Sequence, residues 1–235
     1  MQADGRKYAE GYSLVARPDL GGFFYFQPAV QRASVVRVKT PAGLKIGYVM
    51  GAGDDIPAML RQLGMDVSVL TPEDLAGGDL GRFGTIVLGI RAYDTRDDVT
   101  KYNQRLLDYV KNGGTLLVQY NADITRFDSG KVAPYALELS HNRVSVEQAP
   151  VSILDPQNLA FHYPNEISQS DFGGWVQERG LYFADRWDTN FKPLLASNDP
   201  GEDSQKGGLL VARYGKGYYV YTGYAFFRQL PFGVP

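Results

Sequence analysis

The chain has 235 residues, 44% of them hydrophobic and 21% charged, a formal net charge of −2 and no cysteine. At about 100–200 residues per domain this allows one substantial globular domain and a smaller segment; the charge balance lacks the basic excess that phosphate-backbone binding needs, so no nucleic-acid partner is expected. Zero cysteine excludes disulfides, thiolate zinc sites and a thiolate nucleophile, and no apolar run approaches the ~20 residues of a membrane span.

Met1 to Lys7 leads into no apolar stretch of the kind a signal peptide carries, so an exported or periplasmic parent would hold its signal outside this chain. In the first 43 residues, Tyr12–Ala16 and Val35–Val38 read as two isolated strands, too few for an independent sandwich. A regular rhythm starts at Leu44. The apolar run Lys45-Ile-Gly-Tyr-Val-Met50 predicts a strand; Gly51-Ala-Gly-Asp-Asp55 a loop; and Ile56, Met59, Leu60 and Leu63, at helical spacing, a helix with Pro57 in its first turn and Gly64 at its end. Asp66–Leu70 is a second strand, and Thr71-Pro72-Glu73-Asp74 opens a short helix that Gly77-Gly78 ends.

Thr85-Ile-Val-Leu-Gly-Ile90 is the near-continuous apolar strand expected inside a parallel sheet. A longer helix follows, with Val99, Tyr102, Leu106, Tyr109 and Val110 as its buried stripe and Asn112-Gly113-Gly114 as its stop, and then the strand Thr115–Gln119. Four β–α alternations with short connections predict an α/β, doubly wound, mostly parallel sheet in flavodoxin-like order. Residues 122–206 are loop-rich, with Val151–Leu154 the clearest strand, and Gly215-Lys-Gly217 between Gly208–Tyr214 and Tyr218–Thr222 signals a hairpin.

Open α/β sheets bind ligands beyond the carboxyl ends of their strands, at the switch point of strand order. That rule selects Asp54, Asp55, Arg91, Tyr93, Gln119 and Asn121. Gly51-Ala-Gly53 lacks the third glycine of a dinucleotide fingerprint, and two aspartates stand where a phosphate's charge would sit. The aspartates therefore either cap the helix or hold a polar ligand. Arg91 either pairs with Asp54 or Asp55 or contacts the ligand. Gln119, Tyr120 and Asn121 end the fourth strand, where a nucleophile elbow is expected, and none of them can form an acyl-enzyme in the usual way. Trp175, Glu178 and Arg179 are either a sugar-binding cluster or a buried ion pair under an aromatic lid. Gly-x-Ser-x-Gly and Walker motifs are absent, and His141 and His162 lack metal-ligand spacing, so neither cofactor nor metal is expected.

Four segments, Ile46–Pro57, Asn103–Val110, Trp175–Phe183 and Phe226–Pro231, resemble the C-terminal region of long bacterial PIG-L (LmbE-like) family deacetylases, a resemblance that runs through nearly the whole chain. It implies a class I glutamine amidotransferase-like domain, akin to ThuA-like domains, over residues 44–235, with residues 1–43 as the end of a β-rich linker domain. It also implies a parent protein whose deacetylase domain is the partner, and a carbohydrate ligand. Neither activity carries over. Asp54-Asp55 and Asp97-Asp98 lack the preceding His-Pro of the zinc deacetylase run, and a Cys-His-Glu triad cannot be built without cysteine. The expectation is a non-catalytic accessory module; a ThuA-like carbohydrate-active enzyme without a cysteine nucleophile and a purely structural scaffold are the alternatives.

Overall fold

A computed structural model describes residues 2–30, 37–127 and 132–234, and the chain divides into two compact units, Met1–Val35 and Val36–Pro235. In the first, β1 (Gln2–Ala3) pairs with β2 (Arg6–Lys7), and β3 (Glu10–Arg17) pairs antiparallel with β4 (Gly21–Pro28). Arg17 donates to Asp19 at 3.0 and 2.8 Å across the turn of this hairpin, which Gly21 leaves at φ 70°. Tyr12–Ala16 is the middle of β3. Its partner was hidden from pattern reading because Phe23-Phe-Tyr-Phe26 in β4 shows no polar–apolar alternation. The strand expected at Val35–Val38 begins outside the described residues, and Arg37 and Val38 belong to no strand.

The second unit is built on a seven-stranded mixed sheet. In chain order it contributes β5 (Lys45–Val49), α1 (Ile56–Gln62), β6 (Asp66–Val69), α2 (Pro72–Gly77), β7 (Thr85–Leu88), α3 (Ala92–Thr95), α4 (Asp97–Lys101), α5 (Asn103–Lys111) and β8 (Thr115–Gln119). The loop-rich half adds β9 (Leu137–Leu139), β10 (Val151–Ile153), β11 (Ala184–Trp187), β12 (Phe191–Pro193) and β13 (Leu195–Ser197), then β14 (Leu209–Tyr214), β15 (Gly217–Thr222) and α6 (Phe226–Gln229). The sheet order is β12-β14-β15-β8-β7-β5-β6, parallel from β15 to β6 and antiparallel at β14 and β12. The five parallel strands follow the flavodoxin-like order.

Alternation along the central strands explains the two layers of helices. Ile86, Leu88, Leu116, Val118, Tyr219 and Tyr221 face the core under α2 to α5, whereas Tyr48, Val87 and Tyr120 face the opposite side with Ile56 and Phe227. Each fully buried leucine or isoleucine in these layers contributes roughly 2 kcal/mol, and the loop-rich half adds a further core around Phe172, Trp175, Phe183 and Tyr224. The helix expected after the third strand is divided into α3, α4 and α5. Arg96 leaves helical geometry (φ −128°, ψ 108°) and its Nε donates to Asp98 at 2.9 Å, and Tyr102 breaks the run again. The segment before β5 is tied to the loop-rich half by Asn165, which accepts from the Lys39 amide at 2.7 Å and donates to its carbonyl at 3.0 Å.

One core hydroxyl is uncompensated. Among the described residues, the Tyr219 hydroxyl is the buried side-chain polar atom without a hydrogen-bond partner, and burial holds its phenol far above the usual range. Tyr219→Phe deletes an orphaned group without opening a cavity, and is expected to raise the unfolding free energy by about 1 kcal/mol. Urea denaturation checks this; a loss of similar size would mean that the hydroxyl does have a partner.

Candidate functional site at the ends of the parallel strands

The turn from β7 into α3 is tightly constrained. Arg91 adopts the left-handed conformation, φ 58° and ψ 28°, at the position that opens α3. Two loops hold it there: the Arg91 amide donates to the Tyr120 carbonyl at 2.8 Å, and the Ala52 amide donates to the Ile90 carbonyl at 2.8 Å. Gly51 makes the second approach possible, since a Cβ on it would lie 2.0 Å from the Ile90 oxygen. The glycine after the first strand therefore serves close backbone approach rather than a phosphate cradle. Sequence reasoning placed the elbow at the end of the fourth strand. The structure corrects this: the left-handed strand-to-helix turn follows the third strand, and the residue it presents is an arginine. In the separate α/β-hydrolase fold a strained strand-to-helix turn presents the nucleophile; here a guanidinium, always protonated, cannot attack.

The polar residues around the elbow are largely committed to one another. The Tyr48 hydroxyl, fully buried, donates to the Asp54 carboxylate at 2.7 Å and accepts from Gln119 Nε2 at 2.9 Å. Burial, reinforced by the Asp54 carboxylate, holds that phenol far above its ordinary range, so it stays protonated and donating. Asp54 also accepts the Ile56 amide at 3.1 Å, so it caps α1 from outside, while the Asp55 side chain makes no capping bond. Asn121, fully buried, accepts the Tyr93 amide at 3.0 Å and donates to the Gln119 carbonyl at 2.9 Å. Tyr93 is also fully buried and donates to Asn103 at 2.6 Å, so its ring offers no face to a ligand. Arg91 pairs with neither Asp54 nor Asp55. Its Nε donates at 2.9 Å to Asp94, whose side chain is 3% exposed and also accepts the Ala122 and Asp123 amides.

Trp175, Glu178 and Arg179 do not form one cluster. Trp175 is core and donates to the Asp171 carbonyl at 3.2 Å. Arg179 is 5% exposed and has no carboxylate partner among the described residues; it donates to the carbonyls of Ala149 (2.9 Å) and Phe172 (2.5 Å), and its guanidinium lies 5.1 Å from the Trp175 ring centroid. Desolvation lowers its pKa from the usual arginine value. Glu178 pairs instead with Arg228, at 2.9 Å.

Residues that sequence reasoning did not select as ligands complete the rim. Tyr120 stacks on Tyr182 with ring centroids 5.9 Å apart and planes 7° apart, and lies 5.5 Å from Phe227, over whose ring Arg228 sits at 4.8 Å. His141 meets the Tyr182 ring at 5.7 Å. In the second unit, the described non-glycine residues with positive φ are Arg91, Gln177 and Tyr182. All three stand on this rim or next to Glu178, and strained backbone of this kind gathers where surrounding structure holds a functional geometry. The only sequence signal was the aromatic density of Trp175 to Trp187 and of Phe226-Phe227-Arg228.

Among the described residues no three histidine or carboxylate side chains converge as metal ligands; His162 is engaged by Glu166 and the Pro156 carbonyl, both at 2.7 Å. No described helix is long and apolar enough to cross a membrane.

No protein-family model matches the chain, and no curated protein is similar to it. Solved structures resemble it weakly. A cytoplasmic protein of Salmonella typhimurium LT2 is 16% identical over 91% of this chain and 83% of its own, with a TM-score of 0.48. A ThuA-like protein of Bacteroides uniformis is 12% identical over 82% of this chain and 86% of its own, with a TM-score of 0.47. A β-galactosidase of Rahnella sp. R3 is 15% identical with a TM-score of 0.47; the likeness covers 82% of this chain but 32% of that enzyme. None of these carries an activity or a substrate to this chain.

Proposed function

We propose that this chain is a non-catalytic, amidotransferase-like accessory module that serves a carbohydrate-active protein, of which a PIG-L-type deacetylase is the kind the sequence resemblance names. The observation that carries the non-catalytic reading is the elbow: its residue is Arg91, and Asp54, Gln119, Tyr93 and Asn121 behind it are committed to internal hydrogen bonds. The buried braces favour a scaffold role for most of the predicted residues. What is left for a ligand is the rim, where Arg91 remains 44% exposed.

The purified chain is expected to release no ammonia from glutamine above a no-protein control, since nothing at the elbow supplies a thiolate for a γ-glutamyl intermediate. It is likewise expected to hold no stoichiometric zinc after purification in zinc-containing buffer, because the described histidines and carboxylates do not converge. Sustained glutaminase turnover, or one tightly held zinc per chain by elemental analysis, overturns this reading.

A further inference from the structure

A cavity of about 490 Å³ opens between the segment before β5, the loop-rich half and α6, and none of the elbow residues borders it. Its size is that of a small-molecule pocket, ordinarily ~300–1,000 Å³. Ile167, Phe172, Trp175, Phe226, Leu230 and Val234 make most of its wall. The polar groups among them are already engaged. Gln229, 4% exposed, accepts the Val176 amide at 2.9 Å and donates to the Val176 and Ala225 carbonyls. Asn165 is taken up by the Lys39 backbone, and Trp175 Nε1 by the Asp171 carbonyl.

Two of the three charges on the wall are also answered. Glu166 meets His162 Nδ1 at 2.7 Å while His162 Nε2 meets the Pro156 carbonyl, so both ring nitrogens face acceptors, the imidazole pKa is raised and the ring's charge offsets the carboxylate. Asp171 accepts the Ser168 amide at 2.7 Å and the Ser168 hydroxyl at 3.0 Å. The third charge, exposed Arg37, has no hydrogen-bond or ion-pair partner among the described residues. The chain that carries it is held, because Asn165 clamps Lys39 two residues on.

We propose that this cavity binds an amphipathic monocarboxylate, with its apolar body against the wall and its carboxylate on the Arg37 guanidinium. An apolar body asks for no hydrogen bond from a wall whose polar groups are spoken for. A carboxylate is the headgroup that a guanidinium meets with two parallel hydrogen bonds. An alcohol would leave the Arg37 charge unanswered, and an amine would meet it as a like charge. The proposal is independent of the elbow and of the non-catalytic reading.

The test is calorimetric titration of the full chain with three probes of one chain length, octanoate, 1-octanol and octylamine, each below its micelle-forming concentration. The expected result is saturable binding of octanoate, about tenfold tighter than octanol, as one charge-assisted hydrogen-bonded contact supplies. Arg37→Gln should weaken octanoate by about tenfold, to the level of octanol, while octanol binding and the unfolding midpoint stay unchanged. Ile167→Asp, which puts a carboxylate on the apolar wall, should weaken octanoate and octanol alike. Octylamine as the tightest probe would show that Glu166 and Asp171 govern the mouth and would overturn the proposal. So would equal affinity for octanoate and octanol, no binding of any probe, or an octanoate preference that survives Arg37→Gln.

Discussion

Arg179→Ala is expected to destabilise the second unit by about 4 kcal/mol, the largest single effect foreseen, because it removes two charge-assisted hydrogen bonds and a desolvated cation–π interaction at once. The side chain is nearly enclosed and pairs with no carboxylate among the described residues, so it survives as a buried cation because the carbonyls of Ala149 and Phe172 and the face of Trp175 solvate it. Those carbonyls belong to separate loop segments, and the Arg179 carbonyl itself accepts the Ala225 amide at 2.8 Å at the entry to α6. Arg179 thus ties the loop-rich layer to the end of β15. Arg179→Lys should recover only part of the loss, since one ammonium cannot reproduce a planar fork that meets two carbonyls. Urea unfolding of both variants checks this, and a loss below about 1 kcal/mol for the alanine variant would show that the guanidinium is dispensable, within the ordinary range of surface substitutions.

Gly51→Ala is expected to cost about 3 kcal/mol, the upper end of what overpacking usually costs. The added methyl would stand 2.0 Å from the Ile90 oxygen and 2.9 Å from the Ala92 nitrogen, and both are backbone atoms that cannot swing away as a side chain would. The two loops would have to part, releasing the Ala52 to Ile90 hydrogen bond. Gly53 supplies the contrast. It has φ 106°, and a methyl added to it would meet no atom within 4 Å, so Gly53→Ala bears only conformational strain, about 1–2 kcal/mol. Thermal or urea unfolding of the two variants separates close approach from backbone strain, and equal effects would contradict the packing account.

The sheet was legible because its strands carry their own signals. Thr85–Leu88 and Thr115–Gln119 are short apolar runs bounded by glycine, polar or helical segments, and Tyr214 pairs with Gly217 across the two-residue turn that Gly215-Lys216 announces. The candidate site was legible as a region but not as a set of interactions. Strand order brings Asp54, Arg91 and Asn121 to the same end of the sheet, yet nothing in the chain says that Asn121 points inward to the Tyr93 amide or that Asp94, three residues past Arg91, takes the guanidinium. Nor is a positive φ readable when the residue is arginine or tyrosine, because only glycine and, less often, asparagine or aspartate advertise it. The positions of Tyr182 and Arg228 are not readable either, because they come from loop segments meeting across the chain, Glu178 with Arg228 and Tyr120 with Tyr182.

The buried polar residues behind the elbow are expected to brace the loops while Arg91, half-exposed and paired with Asp94, is not needed for the fold, and unfolding free energies of Arg91→Ala and Asn121→Ala measured side by side test this most directly. Asn121→Ala leaves the Tyr93 amide and the Gln119 carbonyl without their buried partner, and should cost about 2–3 kcal/mol. Arg91→Ala takes a half-exposed guanidinium from Asp94, whose nearly buried carboxylate keeps the Ala122 and Asp123 amides, and should cost about 1 kcal/mol, leaving the fold intact. Equal and large losses in both variants would contradict the account, because Arg91 would then be a structural clamp.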